Sequence, residues 1–325
     1  MTNRRFLLII CIVIVFSALV FQISEEQRMK RSQVIEPLLR GQIEQTFEPP
    51  LLKEEDVPID KTIENRPAPV KVKRDLNKIT SEAYLVGNLE NGEVYLGNNS
   101  NKIFPIASLS KLFTAIISIH HLNKENKITI TESMLDSYGD AGHLVKDEKF
   151  TVDELLYPLL LESSNDAADA LAESFGYEEF VSLMNGFAKE NGLNNTNFRD
   201  ASGLSSSNTS TANDLFLLAR YIYQNESDLL AKTRLPEMTL ATSSDHGYHH
   251  FISINPFTPY EPFIGGKTGR TSEAKESMVS LFNYQTKNST TTIPIAVIIL
   301  RSEFGEREID TERILEKFDN KIMTI

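Results

Sequence analysis

A serine lies three residues before a lysine at the start of an apolar segment, and this stretch constrains the fold of the chain more than any other. Ser108 and Lys111 precede a helix-forming run that begins with Leu112 and Phe113. Because Pro105 cannot continue a helix behind it, we predict that the helix begins near Ser108. Positions i and i+3 share one face of a helix, so Ser108 Oγ and Lys111 Nζ should meet.

This pairing supplies what an acyl-transfer reaction requires. The amine of Lys111 can take the proton of Ser108, and the free backbone N–H groups of a first helical turn can bind an oxyanion. The positive end of the helix dipole lies at the same place. Ser-x-x-Lys alone also fits an N-cap serine beside a solvated lysine, so other parts of the chain have to decide between the two interpretations.

Composition excludes several classes of function. The 325 residues include 33 Lys and Arg against 45 Asp and Glu, a net charge of -12, which argues against nucleic-acid binding. Cys11, inside the N-terminal apolar run, is the one cysteine, so the folded part has no disulfide or thiol nucleophile. His246, His249 and His250 are close in sequence, but no recognisable ligand set includes them. We predict neither a metal nor a cofactor.

The first part of the chain has two distinct segments. Residues 1–24 contain an almost unbroken apolar run behind Arg4 and Arg5, and we predict an uncleaved transmembrane anchor. A cleaved signal peptide is the alternative. Residues 25–74 are charged and rich in proline, without a persistent apolar period, and we predict an extended linker.

Residues 75–325 are predicted to form the folded domain. Strand-like runs occur near both of its ends, and helical patterns fill the middle. This distribution predicts an α+β fold, in which one antiparallel sheet is built from both ends of the domain, with flanking helices and an inserted helical lobe. Residues 224–262 are polar, and we predict that they are irregular.

Two further motifs follow the serine and lysine. Ser163 and Asn165 lie at a polar corner between two helical patterns, where their side chains could face a cleft; a capping turn is the alternative. Lys267, Thr268 and Gly269 lie on a predicted strand, whose edge could bind an extended peptide while the lysine charge suits a carboxylate. Each motif is weak alone, but the three in this order are strong support for acyl transfer.

The sequence resembles the low-molecular-weight penicillin-binding proteins that are serine-type D-Ala-D-Ala carboxypeptidases, which have a β-lactamase-like fold. The resemblance extends over about residues 75–320 and covers more than the three motifs. It is carried by five blocks, residues 106–111, 162–168, 180–185, 201–204 and 266–269.

The resemblance implies catalytic roles for three side chains. Ser108 would attack the carbonyl between the two terminal D-alanines of a peptidoglycan stem peptide. Lys111 would be the general base, which requires a depressed pKa. Ser163 would relay a proton to the departing D-alanine, and water would then hydrolyse the acyl-enzyme. β-Lactam antibiotics would acylate Ser108 because they mimic the substrate.

The resemblance also implies substrate-binding roles. Asn165 would hold the peptide amide and the lysine, while Lys267 and Thr268 would bind the terminal carboxylate. Gly269 would let the substrate approach the strand closely. The backbone N–H groups of Ser108 and Arg270 would form the oxyanion hole. Such an enzyme would be a single-pass protein of the cell membrane, with its catalytic domain on the extracytoplasmic side.

The chain departs from the family pattern in three ways. Ser110 replaces a usual threonine, and Lys275 replaces a usual glycine, which puts the start of the next strand in doubt. We also expect the chain to be without the additional β-domain and C-terminal amphipathic anchor of many members. The N-terminal segment would replace that anchor, and the linker would set how far from the membrane the domain can work.

Three other functions compete with the carboxypeptidase interpretation. An endopeptidase of the same family would use the same groups to cut cross-links. A non-catalytic cell-wall-binding protein could keep the fold, although its intact motifs argue against it. A class A β-lactamase is suggested by Glu190, Leu193 and Asn194, which match a Glu-x-x-Leu-Asn pattern, but Gly192 is more typical of a helix end.

Overall fold

The structure, a computed structural model, describes residues 78–139, 141–258, 260, 262–285 and 292–322. The predicted anchor, residues 1–24, and the predicted linker, residues 25–74, lie outside the described residues. Within the described ranges, no helix combines the length and the apolar character needed to cross a bilayer. The boundary at residue 75 therefore stays a prediction.

Eleven strands occur in the described part of the chain. In chain order they are β1 Ala83–Asn88, β2 Val94–Asn98, β3 Phe104–Pro105, β4 Lys127–Thr129, β5 Lys149–Thr151, β6 Thr209–Ser210, β7 Glu237–Leu240, β8 His249–Ile252, β9 Phe263–Thr271, β10 Lys275–Gln285 and β11 Thr292–Ser302. The main sheet has five strands in the order β2-β1-β11-β10-β9, all antiparallel. The remaining strands form three short antiparallel pairs, β3 with β6, β4 with β5 and β7 with β8.

Seven α-helices are present in the same described ranges. They are α1 Ser110–His121, α2 Val152–Tyr157, α3 Asn165–Phe175, α4 Tyr177–Glu190, α5 Ala212–Asn225, α6 Ser227–Arg234 and α7 Arg307–Ile322. Helices α1 to α6 lie between β2 and β9 in the chain, as an inserted lobe, and α7 follows the last strand. Since β1 pairs with β11, the sheet is built from both ends of the domain, and the predicted fold class is confirmed.

The main sheet is buried on both faces. Successive residues of a strand point to opposite faces, so the neighbours Val297 and Ile298 of β11 enter different core layers. Ile298 packs in the layer that contains the helical lobe, including Phe216 of α5. Val297 packs in the layer that contains Phe318 of α7. Burial on both faces explains why the sequence of β11 is continuously apolar rather than alternating.

The prediction that residues 224–262 are irregular is wrong. Helix α6 and the β7–β8 hairpin form within this segment. In β8, His249 and Phe251 are buried while His250 and Ile252 are exposed, which is the alternation of a strand with one buried face. The pattern escaped detection because the strand is four residues long and a histidine occupies one buried position.

Strand β10 starts at Lys275, the position where the family pattern has glycine. Lys275 adopts a left-handed backbone conformation with φ of 50°, which costs a non-glycine residue about 1–2 kcal/mol. Its ammonium lies 2.7 Å from Glu303 Oε1. The left-handed turn therefore forms without glycine, and the doubt about the start of this strand is resolved.

One buried carboxylate joins the two ends of the domain. Asp310, in α7, is fully buried and accepts hydrogen bonds from the backbone N–H groups of Thr80 and Ser81, at 2.9 and 2.8 Å. It also accepts from the Thr80 hydroxyl, at 2.7 Å, and from Ser302 at the end of β11. Arg313 Nη1 lies 3.3 Å from the same carboxylate. Asp310 thus holds three segments together at one point: the chain before β1, the end of β11, and α7.

We predict that Asp310→Ala lowers the free energy of unfolding by about 2–4 kcal/mol, because it leaves several buried donors without an acceptor. Urea denaturation followed by circular dichroism measures this change. Glu312→Ala, at an exposed position of the same helix, serves as the control and should change stability by less than about 0.5 kcal/mol. A loss for Asp310→Ala no larger than that of the control would contradict the prediction.

Candidate active site

A cavity of ≈ 910 Å³ lies between the helical lobe and β9, the edge strand of the main sheet. Its lining draws on segments that are far apart in sequence. Six of the lining residues belong to the three motifs or to the glycine-containing turn that follows α4; these are Ser108, Ser163, Asn165, Gly203, Thr268 and Gly269. Arg270, which follows the third motif, lines the cavity as well.

Ser108 lies in a short 3-10 turn that leads into α1. The turn spans Ala107–Leu109, and Ala107 has a positive φ of 49°. The Ser110 hydroxyl donates to the Ala107 carbonyl at 2.8 Å and accepts from the side-chain amide of Asn208 at 3.1 Å. These bonds hold the strained turn in place, so that Ser108 meets the cavity at the N-terminal end of the helix.

Two glycines let the backbone approach Ser108 closely. A Cβ atom at Gly203, which has φ of 88°, would lie 2.0 Å from the Ala107 carbonyl oxygen and 3.0 Å from the Ser108 nitrogen. A Cβ atom at Gly269 would lie 2.8 Å from the Ile106 carbonyl oxygen and 3.2 Å from the Ser108 nitrogen. The turn of Ser108 is therefore packed between two backbones that carry no side chain.

Lys111 makes three hydrogen bonds with its amine. Nζ lies 3.1 Å from Ser108 Oγ, 2.7 Å from Asn165 Oδ1 and 2.6 Å from the Ser202 carbonyl oxygen. The Asn165 oxygen and the Ser202 carbonyl can only accept, whereas a serine hydroxyl can also donate. A neutral amine has two N–H bonds and one lone pair. Both N–H bonds are therefore used by the fixed acceptors, and the lone pair faces the Ser108 hydroxyl.

The protonation state of Lys111 is set by burial. Its side chain is fully buried, and burial lowers the pKa of the amine from 10.5 to about 7. The carboxylates of Asp200, Asp169 and Asp166 act in the opposite direction and raise the pKa. The balance leaves a large neutral fraction near pH 7, the form that can accept a proton.

Ser163 is held in an unusual backbone conformation at the corner before α3. It follows a π-helical segment, Pro158–Glu162, and lies in the left-handed region with φ of 65°. The Ser164 hydroxyl caps α3 by accepting from the Ala167 N–H at 3.1 Å. Ser163 Oγ is buried and has no hydrogen-bond partner within the described ranges, so it is available to a molecule in the cavity.

Lys267 lies behind the cavity wall rather than in it. The side chain is 1% exposed, and Nζ donates to the Thr268 carbonyl at 2.9 Å. Burial, followed by the charges of Lys111 and Arg307, lowers the pKa of Lys267 well below its ordinary value. The next residues of β9 face the cavity, and the Arg270 guanidinium lies 5.1 Å from the Phe304 ring centre.

The comparison with protein families adds an independent observation. Residues 69–299, more than two thirds of the chain, match the family described as D-alanyl-D-alanine carboxypeptidase. The chain belongs to this family. The matched region includes all eight predicted site residues.

Individual relatives agree with the family match. The chain is 32% identical to a D-alanyl-D-alanine endopeptidase of Haemophilus influenzae, over 73% of this chain and 82% of the relative. It is 33% identical to the D-alanyl-D-alanine carboxypeptidase DacF of Bacillus subtilis, over 57% of this chain and 50% of the relative. The fold is similar to the ampicillin-bound crystal structure of penicillin-binding protein D2 from Listeria monocytogenes, with a TM-score of 0.63 and 27% identity. The match covers 75% of this chain and 98% of the Listeria chain.

Two contributors to the site were not predicted from the sequence. The Ser202 carbonyl binds Lys111 from 91 residues away; its segment belongs to a family-like block, but no role for this carbonyl was predicted. Arg307, at the start of α7, lines the cavity beside Phe304. No motif marks this arginine, and only the packing of α7 against the sheet brings it to the cavity.

We predict that Asp169→Asn moves the rising limb of the pH–rate profile to lower pH. The substitution removes a negative charge that raises the pKa of Lys111, so the amine becomes neutral at a lower pH. Ser137 and Tyr177 donate to different oxygens of Asp169. Asparagine can accept one of these hydrogen bonds, and its NH₂ group can donate to the hydroxyl oxygen of the other residue. The measurement is the rate of acylation by ampicillin as a function of pH.

Asp228→Asn is the control for this experiment, because Asp228 lies at an exposed position of α6. In the wild type and in this control, the rising limb should have its midpoint near the Lys111 pKa of about 7. A midpoint for Asp169→Asn that is unchanged or higher would show that Asp169 does not act on Lys111.

Proposed function

We propose that this chain is a serine-type D-alanyl-D-alanine carboxypeptidase, which removes the terminal D-alanine of peptidoglycan stem peptides through an acyl-enzyme on Ser108. The observation that carries the proposal is the Lys111 amine. Its two N–H bonds are taken by Asn165 and Ser202, and its lone pair faces the Ser108 hydroxyl. This arrangement activates a nucleophile that is otherwise unreactive at neutral pH.

Acylation begins when Lys111 Nζ takes the proton of Ser108. Oγ forms a bond to the carbonyl carbon of the penultimate D-alanine, and the carbonyl oxygen becomes an oxyanion. The backbone N–H groups of Ser108 and Arg270 stabilise this charge. Gly203 and Gly269 pack closely against the turn of Ser108, which a Cβ atom at either position would prevent, and so they fix the place of the Ser108 nitrogen.

The C–N bond then breaks, and the amine of D-alanine leaves with a proton. Ser163 Oγ, which has no hydrogen-bond partner within the described ranges, relays this proton from Lys111. Asn165 holds the peptide amide while its own oxygen binds the lysine. Water next attacks the ester, Lys111 accepts a proton again, and Ser108 is released.

The terminal carboxylate of the substrate requires a cation. Lys267 is buried with a pKa well below its ordinary value, whereas an arginine stays charged at any relevant pH. Arg307 lines the cavity with a side chain that is only 14% exposed. We assign the carboxylate to Arg307 together with Thr268 and Lys267, because a carboxylate bound there would also favour protonation of the lysine.

A D-alanyl-D-alanine endopeptidase is the second candidate function. The Haemophilus influenzae relative has that name, and the alignment covers 82% of its length. Both reactions use the same groups, and they differ in the size of the amine that leaves. Incubation with an uncross-linked pentapeptide and with a cross-linked muropeptide separates them: a carboxypeptidase releases D-alanine from the first, and an endopeptidase cuts the second.

A class A β-lactamase is disfavoured by the position of its required glutamate. Glu190 lies at the exposed end of α4, and it is not among the described residues that line the cavity. Gly192, with φ of 76°, follows the end of that helix. A stable acyl-enzyme with β-lactam antibiotics, rather than their rapid hydrolysis, is therefore expected.

We further propose that residues 1–24 anchor the protein in the cell membrane as a single span, with the catalytic domain on the extracytoplasmic side, where peptidoglycan lies. The apolar run supports this proposal. Cell fractionation tests it: the full chain should stay in the membrane fraction with Cys11 retained, and a variant without residues 1–24 should not. A mature N-terminus beyond residue 24 would identify a cleaved signal peptide instead.

Ser108→Ala tests the proposed reaction. We expect the variant to form no ampicillin adduct, which intact-protein mass spectrometry measures. The rate of D-alanine release should fall more than about 10³-fold, because no other group can form the ester. Ser182→Ala, which removes a hydroxyl at an exposed position of α4, should keep the adduct. A wild-type protein that binds cell wall but forms no adduct and releases no D-alanine would be a non-catalytic wall-binding protein.

A further inference from the structure

The carboxylate of Glu162 joins two segments that are far apart in the chain. Glu162 is the last residue of the π-helical segment Pro158–Glu162 and directly precedes Ser163. One carboxylate oxygen accepts from the Ile252 N–H at 2.9 Å, and the other accepts from the Gly142 N–H at 3.0 Å. Each oxygen thus holds the backbone of a different segment, and both bonds are charge-assisted.

Both of these segments form walls of the cavity. Tyr138 lies four residues before Gly142, and its carbonyl accepts from the side-chain amide of Asn165 at 2.6 Å. The segment that follows Ile252 leads to Ile254, whose N–H donates at 3.0 Å to a carbonyl of the π-helical segment. Tyr138 and Ile254 line the cavity on these two walls. Glu162 is not among the described lining residues, so it acts from behind the wall.

The backbone at Ser163 needs such support. A non-glycine residue in the left-handed region is strained, and the strain persists only where the surroundings fix the conformation. On one side, the Gly142 segment packs so closely that a Cβ atom there would lie 2.7 Å from Ser164 Oγ. The preceding residue, Glu162, is fixed at both of its carboxylate oxygens.

We propose that Glu162 is a positioning residue for the Ser163-x-Asn165 corner, holding Ser163 Oγ and the Asn165 side chain at the angles that acyl transfer needs. The inference rests on the proposed function, in which Ser163 relays a proton to the leaving amine. Two backbone anchors on one carboxylate prevent the corner from relaxing out of the left-handed conformation. Small displacements of such groups reduce the rate of the chemical step far more than they reduce binding.

Glu162→Gln in the full-length chain tests the proposal. Glutamine has the same shape, but it presents an NH₂ group to one of the two backbone N–H donors, so one anchor is lost. We expect a roughly tenfold or greater fall in kcat for D-alanine release, with KM changed less than about twofold and Tm nearly unchanged. Glu190→Gln removes the same charge from an exposed position of α4 and should leave both constants at the wild-type values.

A double-mutant cycle with Ser163→Ala separates positioning from a general structural role. If Glu162 acts through Ser163, Glu162→Gln reduces kcat much less in the Ser163→Ala background than in the wild type. Fully additive losses, or a fall in Tm that accounts for the lost activity, would overturn the proposal. A wild-type kcat in Glu162→Gln would overturn it as well.

Hydrogen exchange gives a readout that does not depend on activity. In Glu162→Gln, the amide of Gly142 or of Ile252 should exchange faster than in the wild type and in Glu190→Gln. Unchanged exchange at both amides would show that the anchors do not exist in solution. If the wild-type chain forms no ampicillin adduct and releases no D-alanine, the proposed function fails, and these exchange rates still decide whether Glu162 fixes the corner.

Discussion

The site depends on the burial of one amine. Removing Lys111 from water lowers its pKa from 10.5 to about 7, which corresponds to about 5 kcal/mol against the protonated form. Between these pH values the unfolded chain binds a proton that the folded protein does not, so folding stability rises with pH across this window. Below about pH 7 the folded protein carries the charge and bears the full penalty. The burial of Lys111 therefore costs folding stability, and the rest of the domain has to offset this cost.

The fold offsets the cost of burying Lys111 by burying apolar side chains on both faces of the main sheet. One core layer joins the sheet to the helical lobe that contains α1 and Lys111, and the other joins it to α7. Because β1 pairs with β11, the sheet between the two core layers is complete only when both ends of the domain are folded. Asp310 holds the two ends together by its hydrogen bonds to Thr80 and Ser81. The edge strand β9 then lies beside the turn of Ser108, where Gly269 permits the close approach.

Local features were predictable from the sequence, and contacts between distant segments were not. The Ser108–Lys111 contact follows from helical spacing, and the apolar strands identified the α+β sheet. The Ser202 carbonyl and Arg307 reach the cavity only through the tertiary fold, so no local pattern indicated them. Lys267 was predicted as a charge for the substrate, but its burial depends on the covering of β9 by other segments.

The two buried lysines have different partners, and this difference separates their roles. Both N–H bonds of a neutral Lys111 are already used by Asn165 and Ser202, so its lone pair remains directed at Ser108. The Lys267 amine donates to the carbonyl of the next residue in the chain, Thr268, and its pKa is lowered first by burial and then by the charges of Lys111 and Arg307. A substrate carboxylate beside Arg307 would counter both positive charges and raise the pKa of Lys267.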